Sequence, residues 1–294
     1  IADLLEKNED GSPNFDVEMP HIRGRVELDR NIEALFKGSG DTALLYFAGH
    51  GAVNDKGGHI VAPDCTDCDP GVSMKKIGDL MAQSKWKNNI VILDCCHAGK
   101  MGDASLIEEV SELRDGMTIM AACCRDEYSM EDGEHGIFTG LLLEGLKGGA
   151  ADLTGSITPG GLYAYIDKSL GAWDQRPVFK TNVSSFVCLR RVEPPVNIDM
   201  LRKISELFQD SNDKFELDPS YEFTNNPDYA PKVTEPYSDE QNVNTFKILQ
   251  KLESVGLVAP VDTEHMYFAA MDSGKCELTV LGKYYWKLAK EGRI

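Results

Sequence analysis

The sequence has no apolar run that approaches the roughly 18 residues of a membrane-spanning helix, and no signal peptide is visible at its N-terminus. It is also poor in basic residues, because 30 Lys and Arg stand against 48 Asp and Glu, for a net charge of −18. Such a charge disfavours nucleic-acid backbones and anionic membranes and suits a cationic substrate or partner. We therefore expect no membrane partner.

The eight cysteines lack the spacing of a disulfide framework, since four of them form the adjacent pairs 95–96 and 123–124. Adjacent cysteines in strand-like runs do not readily bridge each other, so the pattern predicts a reduced, cytoplasmic protein. Cys65 and Cys68 form a single C-x-x-C with no second pair. A zinc site there stays open as the less favoured alternative to ordinary loop cysteines.

Two apolar runs end in residues that carry chemistry. Residues 90–93 are typical of a strand buried on both faces, and Asp94, Cys95, Cys96 and His97 follow them directly. Residues 42–48 form a second strand-like run, which ends at His50 with a glycine on either side. Ligands bind at the carboxyl ends of parallel strands, so neighbouring strands would bring His50 and the thiols together. A histidine there can supply the base that a thiol needs to attack a carbonyl.

These two stretches carry a family resemblance. Residues 46–51 read Y-F-A-G-H-G and residues 94–99 read D-C-C-H-A-G. They resemble the paired signatures of the caspase-like cysteine peptidases, and most closely the metacaspase and prokaryotic orthocaspase branch. The Q-A-C-x-G signature of caspases proper is missing from the chain. The resemblance covers roughly residues 1–190.

The resemblance implies the catalytic roles. His50 is the base and Cys96 is the nucleophile, while the backbone N–H groups of Gly51 and Cys96 form the oxyanion hole. Cys95 falls where the family often has Ser, and His97 is structural. The resemblance implies neither a cofactor nor a third catalytic residue.

The resemblance also implies a specificity for basic residues. Asp94 stands where metacaspases keep an acid at the floor of the specificity pocket, which predicts cleavage after Arg and then Lys. Asp126 is a candidate second acid, and Ala48 replaces a pocket Ser found in some relatives. The alternative for Asp94 is that it caps the turn that follows.

Many metacaspases need calcium, and the resemblance places that site in the acidic stretch after the catalytic His. Asp64, Asp67 and Asp69 lie there, but Lys75 and Lys76 stand where an acid pair should be. Calcium needs several converging carboxylates, and two ammonium groups would repel it or neutralise the acids. We predict a calcium-independent enzyme with no metal site, switched by cleavage of its own chain or by a partner.

The alternation of strand-like and helix-like segments predicts an α/β fold, with a mostly parallel sheet flanked by helices, over residues 1–190. A caspase-like sheet opens with one more strand, which we expect upstream of residue 1. A linker at 191–199 contains Pro194 and Pro195. Residues 200–294 are predicted to form a small α+β, winged-helix-like domain that serves regulation or interaction. Its wing is expected as a hairpin of residues 266–270 and 275–279.

The predicted function is a cysteine endopeptidase that acts on a protein or peptide with a basic residue before the cut, in stress, cell-death or defence signalling. A catalytically silent scaffold, a cysteine enzyme of other chemistry and a DNA-binding regulator stay as alternatives. Residues 191–294 hold 12 Lys and Arg against 18 Asp and Glu, which disfavours DNA. A regulatory protein partner at 200–294 is the favoured interpretation.

Overall fold

The computed structural model describes residues 1–55, 57–66, 69–97, 113–122, 136–171, 176–229 and 233–294, with the side chains of 69, 70, 96 and 97 excepted. The chain divides into two compact units, Ile1–Val192 and Glu193–Ile294. Among the described helices, none is both long and apolar enough to cross a bilayer.

The first unit is built from helices and strands that alternate along the chain. Its helices are α1 (Ala2–Glu6), α2 (Arg25–Lys37), α3 (Met74–Gln83), α4 (Ile137–Glu144) and α5 (Pro159–Ser169), with a π-helix at Gly145–Gly149. Its strands are β1 (Ser39–Asn54), β2 (Gly57–Thr66), β3 (Asp69–Ser73), β4 (Lys85–His97), β5 (Met117–Ala121), β6 (Ser156–Ile157), β7 (Val178–Asn182) and β8 (Arg190–Arg191).

The main sheet has six strands in the order β3-β2-β1-β4-β5-β7. The central strands β1, β4 and β5 are parallel, whereas the outer strands β2, β3 and β7 pair antiparallel. The predicted α/β fold, with a mostly parallel sheet flanked by helices, is confirmed. β6 and β8 form a separate two-stranded ribbon.

Strand β4 is buried on both faces because helices cover the sheet on each side. Val91 and Leu93 pack in a core cluster with residues of α2 and α3. Ile90 and Ile92 pack in a second cluster with residues of α4 and α5. Since side chains alternate along a strand, the unbroken apolar run satisfies both layers.

The sequence of residues 14–19 alone predicts a strand, but this prediction is wrong, because these residues lie in no ladder. The side chain of Asn14 donates hydrogen bonds to the backbone oxygens of Leu5 (2.9 Å) and Leu189 (2.8 Å). The Phe15 N–H donates to the oxygen of Leu5. The start of the segment is therefore hydrogen-bonded to α1 and to the chain just before β8 rather than to a strand of the main sheet.

The outer edge of β1 is open over much of its length. Residues 39–51 pair with β4 on one side, but β2 reaches only residues 51–54 on the other. Within the described ranges, no other strand pairs with residues 39–50. A cavity of about 1850 Å³ lies along this edge, with residues 14–22 contributing to its wall.

The second unit packs helices around a small antiparallel sheet in the strand order β10-β11-β9. Its elements are α6 (Ile198–Arg202), α7 (Ile204–Leu207), β9 (Lys214–Glu216), a 3₁₀-helix (Pro219–Tyr221), α8 (Glu240–Ser254), β10 (Val258–Pro260), α9 (Met266–Met271), β11 (Lys275–Leu278) and α10 (Val280–Lys290). Asp239 caps α8 by accepting hydrogen bonds from the N–H groups of Gln241 and Asn242.

The hairpin predicted from 266–270 and 275–279 is wrong in its first half, because residues 266–271 form helix α9. Met266, Ala269 and Ala270 are buried, whereas Tyr267 and Phe268 are exposed. A spacing of three and four is the period of a helix rather than of a strand. β11 pairs instead with β10 and β9.

Candidate active site

His50 and Cys96 occupy directly opposed positions on the parallel strands β1 and β4. The ladder keeps its register from Thr42 opposite Asn88 to Gly51 opposite His97. Register partners project from the same face of a sheet, so positions 50 and 96 share one face at the carboxyl ends of both strands. The two motifs therefore meet at one rim of the sheet, where β1 and β4 end. The catalytic roles of His50 and Cys96 stay predictions.

Strand alternation separates the two adjacent cysteines. Cys95 is 2% exposed and packs in the cluster that α2 and α3 cover. Position 96 falls on the other face of β4, the face that α4 and α5 cover. A thiol buried among apolar side chains has no access to a peptide bond. The Cys96 side chain lies outside the described part of the structure, and the burial of Cys95 favours Cys96 as the nucleophile.

The surroundings of His50 fit an accessible base. Its side chain is exposed at the end of the β1–β4 ladder. A Cβ added at Gly49 would stand 3.0 Å from the ring of Phe47, so glycine leaves space for that ring. Gly51 is a register partner of Ile60 on one side and of His97 on the other. The oxyanion role of Gly51 and Cys96 stays a prediction.

Asp94 accepts a hydrogen bond from one hydroxyl, which in turn contacts a second hydroxyl, and the sequence did not reveal this arrangement. Thr139 of α4 donates a hydrogen bond from its hydroxyl to Oδ2 of Asp94. The phenol oxygen of Tyr46 lies 2.7 Å from the same Thr139 Oγ1. Burial raises the pKa of Tyr46, and the negative charge of Asp94 adds to this effect. These three side chains belong to β1, β4 and α4, so the contact depends on the whole fold.

The other two predicted pocket residues are Ala48 and Asp126. Ala48 is the register partner of Asp94, is exposed, and offers no polar atom beyond its backbone. Asp126 lies outside the described residues.

One large cavity connects these groups. The cavity of about 1850 Å³ is lined by Tyr46, Ala48, His50, Asp94 and Thr139, together with apolar side chains of β1. The cavity extends along β1 from Gly38 to His50, and a carboxylate and an exposed imidazole lie at its end near the rim of the sheet. That end can hold the cationic side chain of a bound peptide.

Asp64, the first acid of the stretch where calcium-dependent relatives bind the ion, has another partner in this chain. Asp64 accepts a 2.7 Å hydrogen bond from the N–H of Arg25 at the start of α2. A Cβ on Gly24 would come within 2.4 Å of this carboxylate, so glycine allows the close approach. Asp67 and the side chain of Asp69 lie outside the described residues. Asp64 thus caps a helix.

Lys76 pairs with two acids of α2 and not with Asp64, one of the partners expected from the sequence. Its ammonium group lies 2.6 Å from Asp29 and 2.8 Å from Glu33, both on α2. These two pairs connect α2 to α3. Hydrogen bonds from Lys76 and then Lys37 lower the pKa of Glu33 to about 2. Among the described residues, no group of three or more His, Cys, Asp or Glu side chains converges to hold a metal ion.

Comparison with known proteins gives one family match. The family model described as the caspase domain matches residues 4–186. This span contains β1, β4 and both motifs. No curated protein matches the chain.

Proposed function

Since the chain belongs to the caspase-domain family of cysteine peptidases, we propose that it is an endopeptidase that hydrolyses peptide bonds after Arg and, less efficiently, after Lys. The observation that carries the proposal is the pairing of His50 with Cys96 across the parallel β1–β4 ladder. An exposed imidazole beside this position supports a two-residue catalytic site. A silent scaffold would have no need for both residues.

The proposed reaction passes through an acyl-enzyme. Sγ of Cys96 attacks the scissile carbonyl carbon while His50 takes the thiol proton. The C–N bond then breaks, and His50 gives its proton to the leaving amine. Water attacks the thioester, His50 takes a proton from it, and the C–S bond breaks to return the thiol. The N–H groups of Gly51 and Cys96 stabilise the oxyanion of each tetrahedral intermediate.

The preference for basic residues is assigned to Asp94. A carboxylate at the cavity wall favours a cationic side chain, and Arg offers a planar fork that binds both oxygens. Asp126 is retained as a second acid of this pocket. The excess of acidic residues over the whole chain also supports attraction of a basic peptide.

Peptides that differ only at the residue before the cut test the proposal. We expect wild-type protein to cleave an Arg peptide fastest, a Lys peptide more slowly, and an Asp peptide at the background rate. The Cys96→Ala variant, prepared in the same way, controls for contaminating peptidases. A preference for Asp would contradict the proposal.

The regulatory part of the proposal concerns the second unit and the branch of the family. The metacaspase and orthocaspase branch is favoured by the two motifs, and a role in stress, cell-death or defence signalling follows from it. The strand order β10-β11-β9 between helices supports a winged-helix-like unit, with helix α9 where a wing would be. A protein partner is favoured there over DNA, since α8 carries only Lys247 and Lys251 as basic residues.

We also propose that the protein works in a reducing compartment such as the cytoplasm. Cys65, Cys95, Cys188 and Cys276 form no disulfide. Calcium independence is part of the same proposal, and the capping role of Asp64 supports it.

A further inference from the structure

The hydroxyl groups of Tyr46 and Thr139 form a directed chain that ends on Asp94. Thr139 has one hydroxyl proton, and it is donated to Oδ2 of Asp94. The 2.7 Å contact with Tyr46 must therefore use the phenol as donor and Thr139 Oγ1 as acceptor. The order of donation is thus fixed as Tyr46 to Thr139 to Asp94.

The surroundings strengthen this chain. Thr139 is 8% exposed, so its hydroxyl has little water to exchange with. It also lies in the first turn of α4, where the helix dipole favours a negative charge. A hydrogen bond to a carboxylate restricts its rotation.

Asp94 is hydrogen-bonded to Thr139 and also lines the cavity. Oδ2 accepts the Thr139 proton, while the same side chain forms part of the cavity wall. A carboxylate whose rotation is restricted presents its plane to an incoming group in a preferred orientation. This matters for the planar guanidinium of Arg and little for the compact ammonium of Lys.

We propose that Tyr46 and Thr139 are positioning residues that fix the plane of the Asp94 carboxylate, and that this fixed plane selects Arg over Lys. The inference rests on the proposed function, because it assumes that Asp94 binds the basic side chain. It adds the two residues that set the order of preference between the two basic side chains.

The test compares Thr139→Val, Thr139→Ser and Tyr46→Phe on Arg, Lys and citrulline peptides. Val keeps the shape of Thr but removes the hydroxyl, so we expect kcat/KM on the Arg peptide to fall about tenfold, mainly through KM. The Lys peptide should lose less, which lowers the Arg-to-Lys ratio. Ser should restore the ratio, and Phe at position 46 should lower it by a smaller factor.

Thr118→Val is the matched control. Thr118 is 1% exposed, and its hydroxyl bonds that of Thr181 at 2.8 Å on β5 and β7, apart from the site residues. This variant loses a buried hydroxyl in the same way but should keep the wild-type Arg-to-Lys ratio. If Thr139→Val fails to fold, Tyr46→Phe decides the question, because it removes the other hydroxyl of the chain.

The outcomes separate this inference from the proposed function. If wild type cleaves after Arg and Asp94→Asn removes the preference for Arg over citrulline, the proposed function stands. An unchanged Arg-to-Lys ratio in Thr139→Val and Tyr46→Phe would then overturn the positioning role alone. A wild type that does not prefer basic residues would overturn both.

Discussion

His50 and Cys96 are register partners, and one residue of displacement along β4 would pair His50 with a buried thiol instead. The two adjacent positions 95 and 96 fall on opposite faces of β4, because successive positions of a strand face opposite layers. The predicted difference in role between the two cysteines rests on this alternation.

The first prediction separates the two thiols. Cys96→Ala should lower peptide cleavage by roughly 10⁴-fold or more, because the nucleophile is lost. Cys95→Ala should keep most of the activity and lower the free energy of unfolding by about 1 kcal/mol, because it empties a small buried volume. Steady-state kinetics and denaturant unfolding of both variants measure this. The reverse pattern of activity would reassign the nucleophile.

The second prediction restores a polar contact beside Asp94. Ala48→Ser places a hydroxyl at the position opposite Asp94 in the ladder. We expect kcat/KM on the Arg peptide to rise about threefold to tenfold, as one added hydrogen bond to a charged pair would give. The citrulline peptide is the control, and an equal gain on both peptides would contradict a role in charge recognition.

The third prediction concerns calcium. Purified protein should show the same turnover in excess chelator as in millimolar calcium. Asp64 caps α2, and Lys76 forms ion pairs with Asp29 and Glu33. Binding of calcium can be followed separately by calorimetry. A large rise in activity with calcium would show that the acidic stretch binds the ion in spite of these contacts.

The fourth prediction concerns stability and pH. Hydrogen bonds from Lys76 and Lys37 lower the pKa of Glu33 from its usual 4.5 to about 2 in the folded protein. The folded state therefore binds this proton less readily, so the contribution of Glu33 to stability is present above pH 4.5 and is lost as the pH falls towards 2.

Thermal unfolding of wild type and Glu33→Gln at several pH values measures that contribution. Wild type should unfold at a higher temperature near pH 6, and the gap should close below pH 4.5. The gap should also shrink in high salt, since both pairs are at least partly exposed to solvent. Glu18→Gln is the control, an exposed acid of the same unit with no ion pair among the described residues. A gap that does not change with pH would contradict the assignment.

Local patterns predicted β4 and the rim that joins His50 to the cysteines, because a buried apolar run and the residues after it are adjacent in sequence. The Thr139–Asp94 contact was beyond such patterns, since it joins residues 45 positions apart on a helix and a strand. The helix at 266–271 was missed for another reason. Its six residues fit a strand by composition, and only the spacing of Met266, Ala269 and Ala270 indicates a helix.

Within the described ranges, the open edge of β1 leaves backbone groups of residues 39–50 available for pairing with a further strand. Charged residues and prolines usually block such an edge. Residues 39–50 contain no proline and one acid, Asp41. The sequence of β1 therefore suits an interior place in a sheet, with hydrogen-bonded neighbours along both sides.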